Sequence, residues 1–175
     1  MFNSDYRFRG KHADMVRRLG AVVSDEGSIK IFNRYIDIYV LSAIIGFIYG
    51  RKAPVDSNPD IQPATIMLTQ ITGALSDLKF NYRLIMMLDT KNEPNSERRV
   101  DKAFKEINTD MAKADEELFE SYSRGGIEVL YEKLIENSHD RDQYIMNLYE
   151  FVKDFQERFN DGLERNEIIQ KCRSN

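Results

Sequence analysis

The stretch FNRYIDIYVLSAIIGFIYGR, residues 32–51, decides the fold of this chain. Its apolar side chains cover nearly every face of a helix, and a helix of that kind must be buried on several sides. The stretch therefore predicts the central helix of the domain, from about Phe32 to Tyr49, with Gly50 as its C-terminal cap. Gly46 costs this helix about 1 kcal/mol relative to alanine. We expect that it lets a neighbouring helix approach closely.

The same stretch is too short to span a membrane. Its most apolar run, from Tyr35 to Tyr49, has 15 residues and contains Asp37, whereas a membrane-spanning helix needs about 20. The N-terminal residues are polar, and no apolar segment of a signal peptide follows them. We therefore expect a cytoplasmic protein without a membrane segment.

Apolar residues at helical spacing continue on both sides of the central helix. The pattern, with apolar residues three or four places apart, predicts further helices over residues 11–19, 64–88, 96–122, 127–135 and 140–159. A break in the second of these is predicted near Gly73 or around Ser76-Asp77. Arg124-Gly125-Gly126 predicts a helix-to-helix turn after the third, and the other interpretation of the glycine pair is a backbone that approaches a phosphate. Asp140 and Gln143 have the spacing of a capping box at the start of the last helix.

Together these segments predict an all-α fold, a single-domain bundle of five to seven helices with at most one very short strand. That strand would include Ile29 and Ile31, which alternate with polar neighbours. Nine Gly and four Pro are too few for the frequent turns of an all-β domain. We expect an irregular basic arm over residues 1–10, the helical domain over residues 11–162 and a charged C-terminal tail over residues 163–175.

The sequence lacks the usual groupings of catalytic and metal-binding side chains. His12 and His139 have polar neighbours, and neither belongs to a His-x-x-x-His or Glu-x-x-His pair. The single cysteine, Cys172, lies in the polar tail and has no partner for a disulfide within the chain. A Gly-x-Ser-x-Gly elbow, a Walker loop and a dinucleotide-binding glycine pattern are all missing. The sequence therefore predicts no cofactor and no metal, and it favours a protein that is not an enzyme.

Asp37 is the most unusual acidic residue, because it lies on the apolar central helix. A buried carboxylate needs a partner or has a shifted pKa, and either property can mark a functional site. Asp37 is therefore a candidate buried acid, and an enzyme with an unrecognised carboxylate site is one hypothesis. The other interpretation is a structural ion pair, with Arg34 or another arginine, or exposure at the edge of the helix.

Positive charge is concentrated near the N-terminus. Residues 1–55 contain nine Lys or Arg against five Asp or Glu, whereas residues 56–175 contain 16 against 24. The candidate nucleic-acid-binding residues, which have Tyr6 and Phe8 between them, are Arg7, Arg9, Lys11, Arg17 and Arg18. Such cations neutralise phosphates, and aromatic rings can stack on bases. A solvated surface or an oligomer contact would use the same types of residue.

Two segments resemble a known kind of protein. Residues 32–51, quoted above, and Tyr122 to Leu134 (YSRGGIEVLYEKL) are similar to patterns in small helical proteins encoded beside bacterial DNA phosphorothioation (Dnd-type) modification and restriction genes. The shared elements are an apolar helix with an Asp near its start and a Gly near its end, and a later Gly-Gly-Ile turn that leads into a helix. The resemblance implies a helical accessory protein of a bacterial DNA-defence or mobile-element locus.

The leading hypothesis from the sequence is a non-enzymatic accessory protein that acts through protein–protein contacts. It would work as a homo-oligomer or inside a larger assembly, because seven Met, nine Tyr and ten Phe give the helices a surplus of apolar faces. The second hypothesis is a DNA-binding regulator or accessory that uses the basic N-terminal segment.

Overall fold

The predicted all-α architecture is confirmed by the computed structural model, which describes residues 1–20, 32–107, 109–138 and 140–160. The side chains of residues 110, 141, 159 and 160 lie outside that description. The elements are β1 (Tyr6–Phe8), α1 (Gly10–Leu19), α2 (Tyr35–Ile48), β2 (Ala64–Ile66), α3 (Leu68–Gly73), α4 (Leu75–Leu88), α5 (Ser96–Val100), α6 (Lys113–Leu134) and α7 (Arg141–Asn160). A π-helical turn (Asp101–Lys105) and a short 3-10 helix (Asp110–Ala112) connect α5 to α6.

Helices α2 and α6 form the centre of the domain. They pack along each other, and α1, α4 and α7 pack around the pair. The largest side chains that this arrangement buries fully include Ile36, Ile38, Tyr39, Tyr82, Phe119 and Tyr144. None of the described helices combines the length and the apolar content that crossing a membrane requires.

Glycines allow the backbones of α2 and α6 to touch. A Cβ added to Gly46 would overlap the carbonyl oxygen of Tyr122, and a Cβ added to Gly126 would overlap that of Ser42. The role predicted for Gly46 is therefore confirmed. The turn predicted at Arg124-Gly125-Gly126 is wrong, because α6 runs through it without interruption. Gly126 packs directly on the backbone of α2, and this contact offsets the low helix propensity of glycine, which costs about 1 kcal/mol.

The N-terminal segment contains a strand where the sequence predicted an irregular arm. Strand β1 pairs with β2 in an antiparallel ladder that places Arg7 opposite Thr65. Two strands are therefore present in the described residues, and the helix predicted from Ala64 begins only at Leu68. Tyr6 and Phe8 alternate with arginines, which is the period-two pattern of a strand. The partner strand lies more than 50 residues away along the chain, so no hairpin signal accompanied that pattern.

The helix predicted over residues 96–122 is divided into shorter pieces. Asn95 caps the first piece, since its Oδ1 accepts a hydrogen bond of 3.1 Å from the backbone nitrogen of Arg98. Arg98 also forms an ion pair of 2.5 Å with Glu106 across the π-helical turn. The hydroxyl of Thr109 then donates to the carbonyl oxygen of Glu106 at 2.7 Å. These polar contacts, which an apolar period does not reveal, accompany the interruption of the helix.

Two of the predicted boundaries are confirmed. The break near Gly73 is present, because α3 ends there and α4 begins at Leu75. Asp140 caps α7, with its Oδ1 accepting a hydrogen bond of 2.8 Å from the nitrogen of Gln143. The strand predicted at Ile29 and Ile31 lies outside the described residues, as do His139, Cys172 and the tail over residues 163–175.

Candidate functional site

The five predicted basic residues lie on or beside β1 and on α1. Arg7 is the exposed centre of β1, and Arg9 immediately precedes α1. Lys11, Arg17 and Arg18 belong to α1 itself. Because α1 packs against α6 and β1 pairs with β2, these residues are carried by a fixed scaffold.

Two of the five are neutralised by nearby carboxylates. The Nζ atom of Lys11 lies 2.7 Å from Oε1 of Glu128. The Nε atom of Arg18 lies 3.2 Å from Oδ2 of Asp14, one helical turn earlier. Their contribution to the attraction of an anionic partner is therefore reduced.

The positive charges of the other three are not offset by a carboxylate of the described residues. Arg17 donates to the backbone carbonyl oxygen of Gln62, a group without net charge. Arg7 and Arg9 are exposed, and neither has a carboxylate partner among the residues that the structure describes. The cationic surface is consequently smaller than the sequence suggested, and it is centred on β1.

Glu128 is a buried acid, whereas its charged neighbours in the sequence predict an ordinary solvent-exposed helix residue there, and that interpretation is wrong. Its side chain is only 9% exposed, and it contacts Nζ of Lys11 at 2.7 Å, Nε2 of His12 at 3.2 Å and Nε of Arg51 at 3.3 Å. Burial lowers the pKa of His12, although the hydrogen bond to Glu128 opposes that shift. Burial alone would raise the pKa of Glu128, but Lys11 and His12 lower it. This cluster connects α1 and the segment after α2 to α6 through ion pairs and a hydrogen bond. We assign it a structural role.

Glu120 is the second acid that the sequence analysis missed. Its carboxylate accepts hydrogen bonds from the hydroxyls of Tyr6, at 2.5 Å, and Tyr39. The two rings are stacked, with their centroids 4.4 Å apart. Burial raises the pKa of Glu120 to about 7, although both hydroxyls favour the ionised form. A carboxyl group with this pKa gains or loses a proton near neutral pH, which is the property required of a general acid or base.

Asp37 is not the buried acid that the sequence suggested. Its side chain is 35% exposed, and its Oδ1 atom lies 2.6 Å from Nη2 of Arg34. This is the structural ion pair that was the alternative interpretation. Asp37 also lines an open groove of about 670 Å³ together with Asp77.

A smaller cavity of about 240 Å³ adjoins Glu120. We call it the β1–α6 cavity. The charged side chains that line it, apart from His12, are Arg7, Arg9, Asp56, Glu117, Glu120 and Arg124. Two of the predicted basic residues, Arg7 and Arg9, therefore line the same cavity as Arg124, which the sequence placed in a predicted turn.

Arg124 is the buried cation of the β1–α6 cavity, with 6% of the residue exposed. Its Nε donates to the carbonyl oxygen of Ala53 at 2.8 Å, and its Nη2 contacts Glu117. In the described part of the chain, no group of three or more His, Asp or Glu side chains is arranged to hold a metal ion.

The fold and the site define a small helical protein with an adjoining charged cavity and a basic edge, the name we give to the surface that carries Arg7, Arg9 and Arg17. Residues 7–167 match the family model described as DNA sulphur modification system-associated protein 4. Because the match covers most of the chain, the protein belongs to this family. The resemblance to Dnd-type accessory proteins is thereby confirmed, and the family context is DNA modification. No curated protein and no solved structure matches the chain.

Proposed function

We propose that this protein is a non-enzymatic accessory subunit that binds another protein of its DNA sulphur modification system through the exposed side of α7. Such a subunit would act in the bacterial cytoplasm, where the DNA is located. The observation that supports the proposal is that the apolar residues of α7 extend well beyond the side that packs on the described part of the domain.

The covered side of α7 packs on the core. Its apolar residues follow helical spacing and are Tyr144, Leu148, Phe151 and Phe155. The uncovered side also carries large apolar residues, with exposed fractions of 42%, 52%, 63% and 48%: Ile145, Met146, Tyr149 and Val152. The apolar arc of α7 is therefore wider than the side that packs on the core, and a contiguous group of exposed large apolar residues is typical of an interaction site.

The composition of the uncovered side resembles that of protein interfaces, which supports the proposal. Ile145, Tyr149 and Val152 lie four and three places apart, so they form one continuous stripe along the helix. Tyr and Met are enriched at the centre of protein interfaces, where charged residues are depleted. Burying such a stripe stabilises a complex by about 25 cal/mol for each Å² of apolar surface removed from water.

Replacing Ile145, Tyr149 and Val152 together by serine is expected to weaken the complex with the partner protein by at least about a hundredfold, because several central apolar contacts are lost at once. The chain is co-expressed in turn with each of the other proteins encoded by the same modification locus. Complex formation is measured by size-exclusion chromatography with light scattering, and the affinity of any purified pair by calorimetry.

The control for this variant replaces two exposed apolar residues elsewhere, Met67 and Phe80, by serine. It should bind the partner like the unmodified chain. If the chain alone forms an oligomer that the triple serine variant disrupts, the stripe joins copies of this protein. If the chain is monomeric and pairs with no protein of the locus, the proposal is wrong.

DNA binding by the basic edge is the second candidate function. It is favoured by the uncompensated charges of Arg7, Arg9 and Arg17 and by the DNA-modification context of the family. Three cations that neutralise phosphates would give a slope of about −3 for the logarithm of the binding constant against the logarithm of the salt concentration.

The test is fluorescence anisotropy with duplex DNA across a salt series. A variant with alanine at Arg7, Arg9, Arg17 and Arg18 is expected to bind more weakly, with a salt slope close to zero. The charge-matched control has alanine at Lys91, Lys105, Lys133 and Lys153. Equal binding by the two variants, or no binding by the unmodified chain at low salt, would remove this candidate.

A further inference from the structure

The β1–α6 cavity contains cations whose hydrogen-bonding capacity the described residues use only in part. A guanidinium group has five N–H donors, and the described contacts of Arg124 engage only its Nε and Nη2 atoms. Arg7 and Arg9 line the same cavity and have no carboxylate partner among the described residues. A largely buried guanidinium with free donors beside an open volume is a favourable position for an anion.

The carboxylates of the cavity, by contrast, are already engaged. Asp56 accepts hydrogen bonds from the backbone nitrogens of Lys11, at 2.7 Å, and Asn58, at 3.0 Å. Glu117 contacts Arg124, and Glu120 accepts the hydroxyls of two tyrosines. None of these acids contacts Arg7 or Arg9.

From this arrangement we infer that the β1–α6 cavity binds a phosphate group, with Arg124 at its buried end and Arg7 and Arg9 at its exposed edge. Arginine suits this role because its planar fork of donors matches the oxygens of a phosphate. The phosphate could belong to a free nucleotide or to DNA. This inference is independent of the interface proposed on α7.

The binding of three probes is measured by calorimetry and ³¹P NMR: inorganic phosphate, a deoxynucleoside 5′-monophosphate and a dinucleotide with an internal phosphodiester. Preference for either of the first two indicates a monoester or free phosphate as the ligand, whereas preference for the dinucleotide indicates the DNA backbone. Failure of all three to bind at millimolar concentration would overturn the inference.

Glu117→Gln provides a test that does not depend on a loss of folding. Glu117 is 62% exposed, so the substitution should leave the fold intact. It removes the negative charge beside Arg124 and frees a guanidinium donor, which should strengthen phosphate binding by about fivefold. Arg7→Gln combined with Arg9→Gln should weaken it by about tenfold.

The matched control is Glu97→Gln, which makes the same charge change at an exposed position on α5. If Glu97→Gln strengthens phosphate binding as much as Glu117→Gln does, the site is not this cavity. Alanine at Arg17 and Arg18, which lie outside the cavity lining, should leave phosphate binding unchanged. That result separates the cavity from duplex binding by the wider basic edge.

Discussion

Replacing Gly126 by alanine is expected to destabilise the protein by about 4 kcal/mol, which exceeds the roughly 1–3 kcal/mol usual for overpacking a core because the clash is with backbone. The added Cβ would overlap the carbonyl oxygen of Ser42 and would lie 2.7 Å from the nitrogen of Gly46. Both obstacles are backbone atoms of α2, so no side chain can rotate away. Helices α2 and α6 would have to separate along the contact between Gly46 and Gly126 at the centre of the domain, which we call the glycine seam. The expected result is a fall in Tm of roughly 10 °C or more, measured by circular dichroism.

Gly73→Ala is the control for this prediction. Nothing lies within 4 Å of a Cβ added to Gly73, which ends α3. Alanine there should be neutral or stabilise the protein by up to about 1 kcal/mol, because it reduces the freedom of the unfolded chain. Gly46→Ala should resemble Gly126→Ala. The double variant should cost less than the sum of the two, since both substitutions force apart the same pair of helices. If the Gly126→Ala protein is as stable as the Gly73→Ala protein, α2 and α6 can move apart without loss of stability and the prediction is wrong.

The glycine seam also shows what the sequence could predict about the fold. The apolar period of α2 is strong enough to identify the central helix, and Gly46 inside it indicates a close neighbour. Gly125 and Gly126 carry the complementary half of that contact, but adjacent glycines are typical of turns when they are considered alone. Their helical conformation follows from packing between segments about 80 residues apart, which a local pattern does not contain.

The candidate site was less predictable for a similar reason. Arg7 and Arg9 could be identified from composition, but their partners could not. Arg124, Glu120 and Glu128 lie on α6 among many other charged residues of the chain, and nothing in the local sequence separates them from a solvated surface. They become distinctive only when β1 and α1 pack against α6.

Glu120 predicts a pH dependence of stability with a definite sign. Burial raises its pKa in the folded protein to about 7, from an ordinary value near 4.5. Between these two values the folded state holds a proton that the unfolded state has released, so stability decreases as the pH rises through this window. The loss should be about 2–3 kcal/mol, because the shift is large but the side chain is only partly buried. This loss of folding stability should be complete above about pH 8.

Glu120→Gln should remove this dependence, since an amide stays neutral while it keeps the size of the carboxyl group. Urea unfolding at about pH 5 and pH 8 is expected to show the variant more stable than the unmodified protein at the higher pH only. His12 contributes with the opposite sign. Burial lowers its pKa, so its contribution is lost as the pH falls below about 6.5.

The contribution of His12 is present in both proteins and therefore cancels in the difference between them. Glu97→Gln, at an exposed position, should follow the pH profile of the unmodified protein. If the profiles of the Glu120→Gln variant and the unmodified protein are parallel, Glu120 is ionised throughout this range. The hydroxyls of Tyr6 and Tyr39 would then stabilise its charge fully, and the negative charge at the β1–α6 cavity would not change with pH.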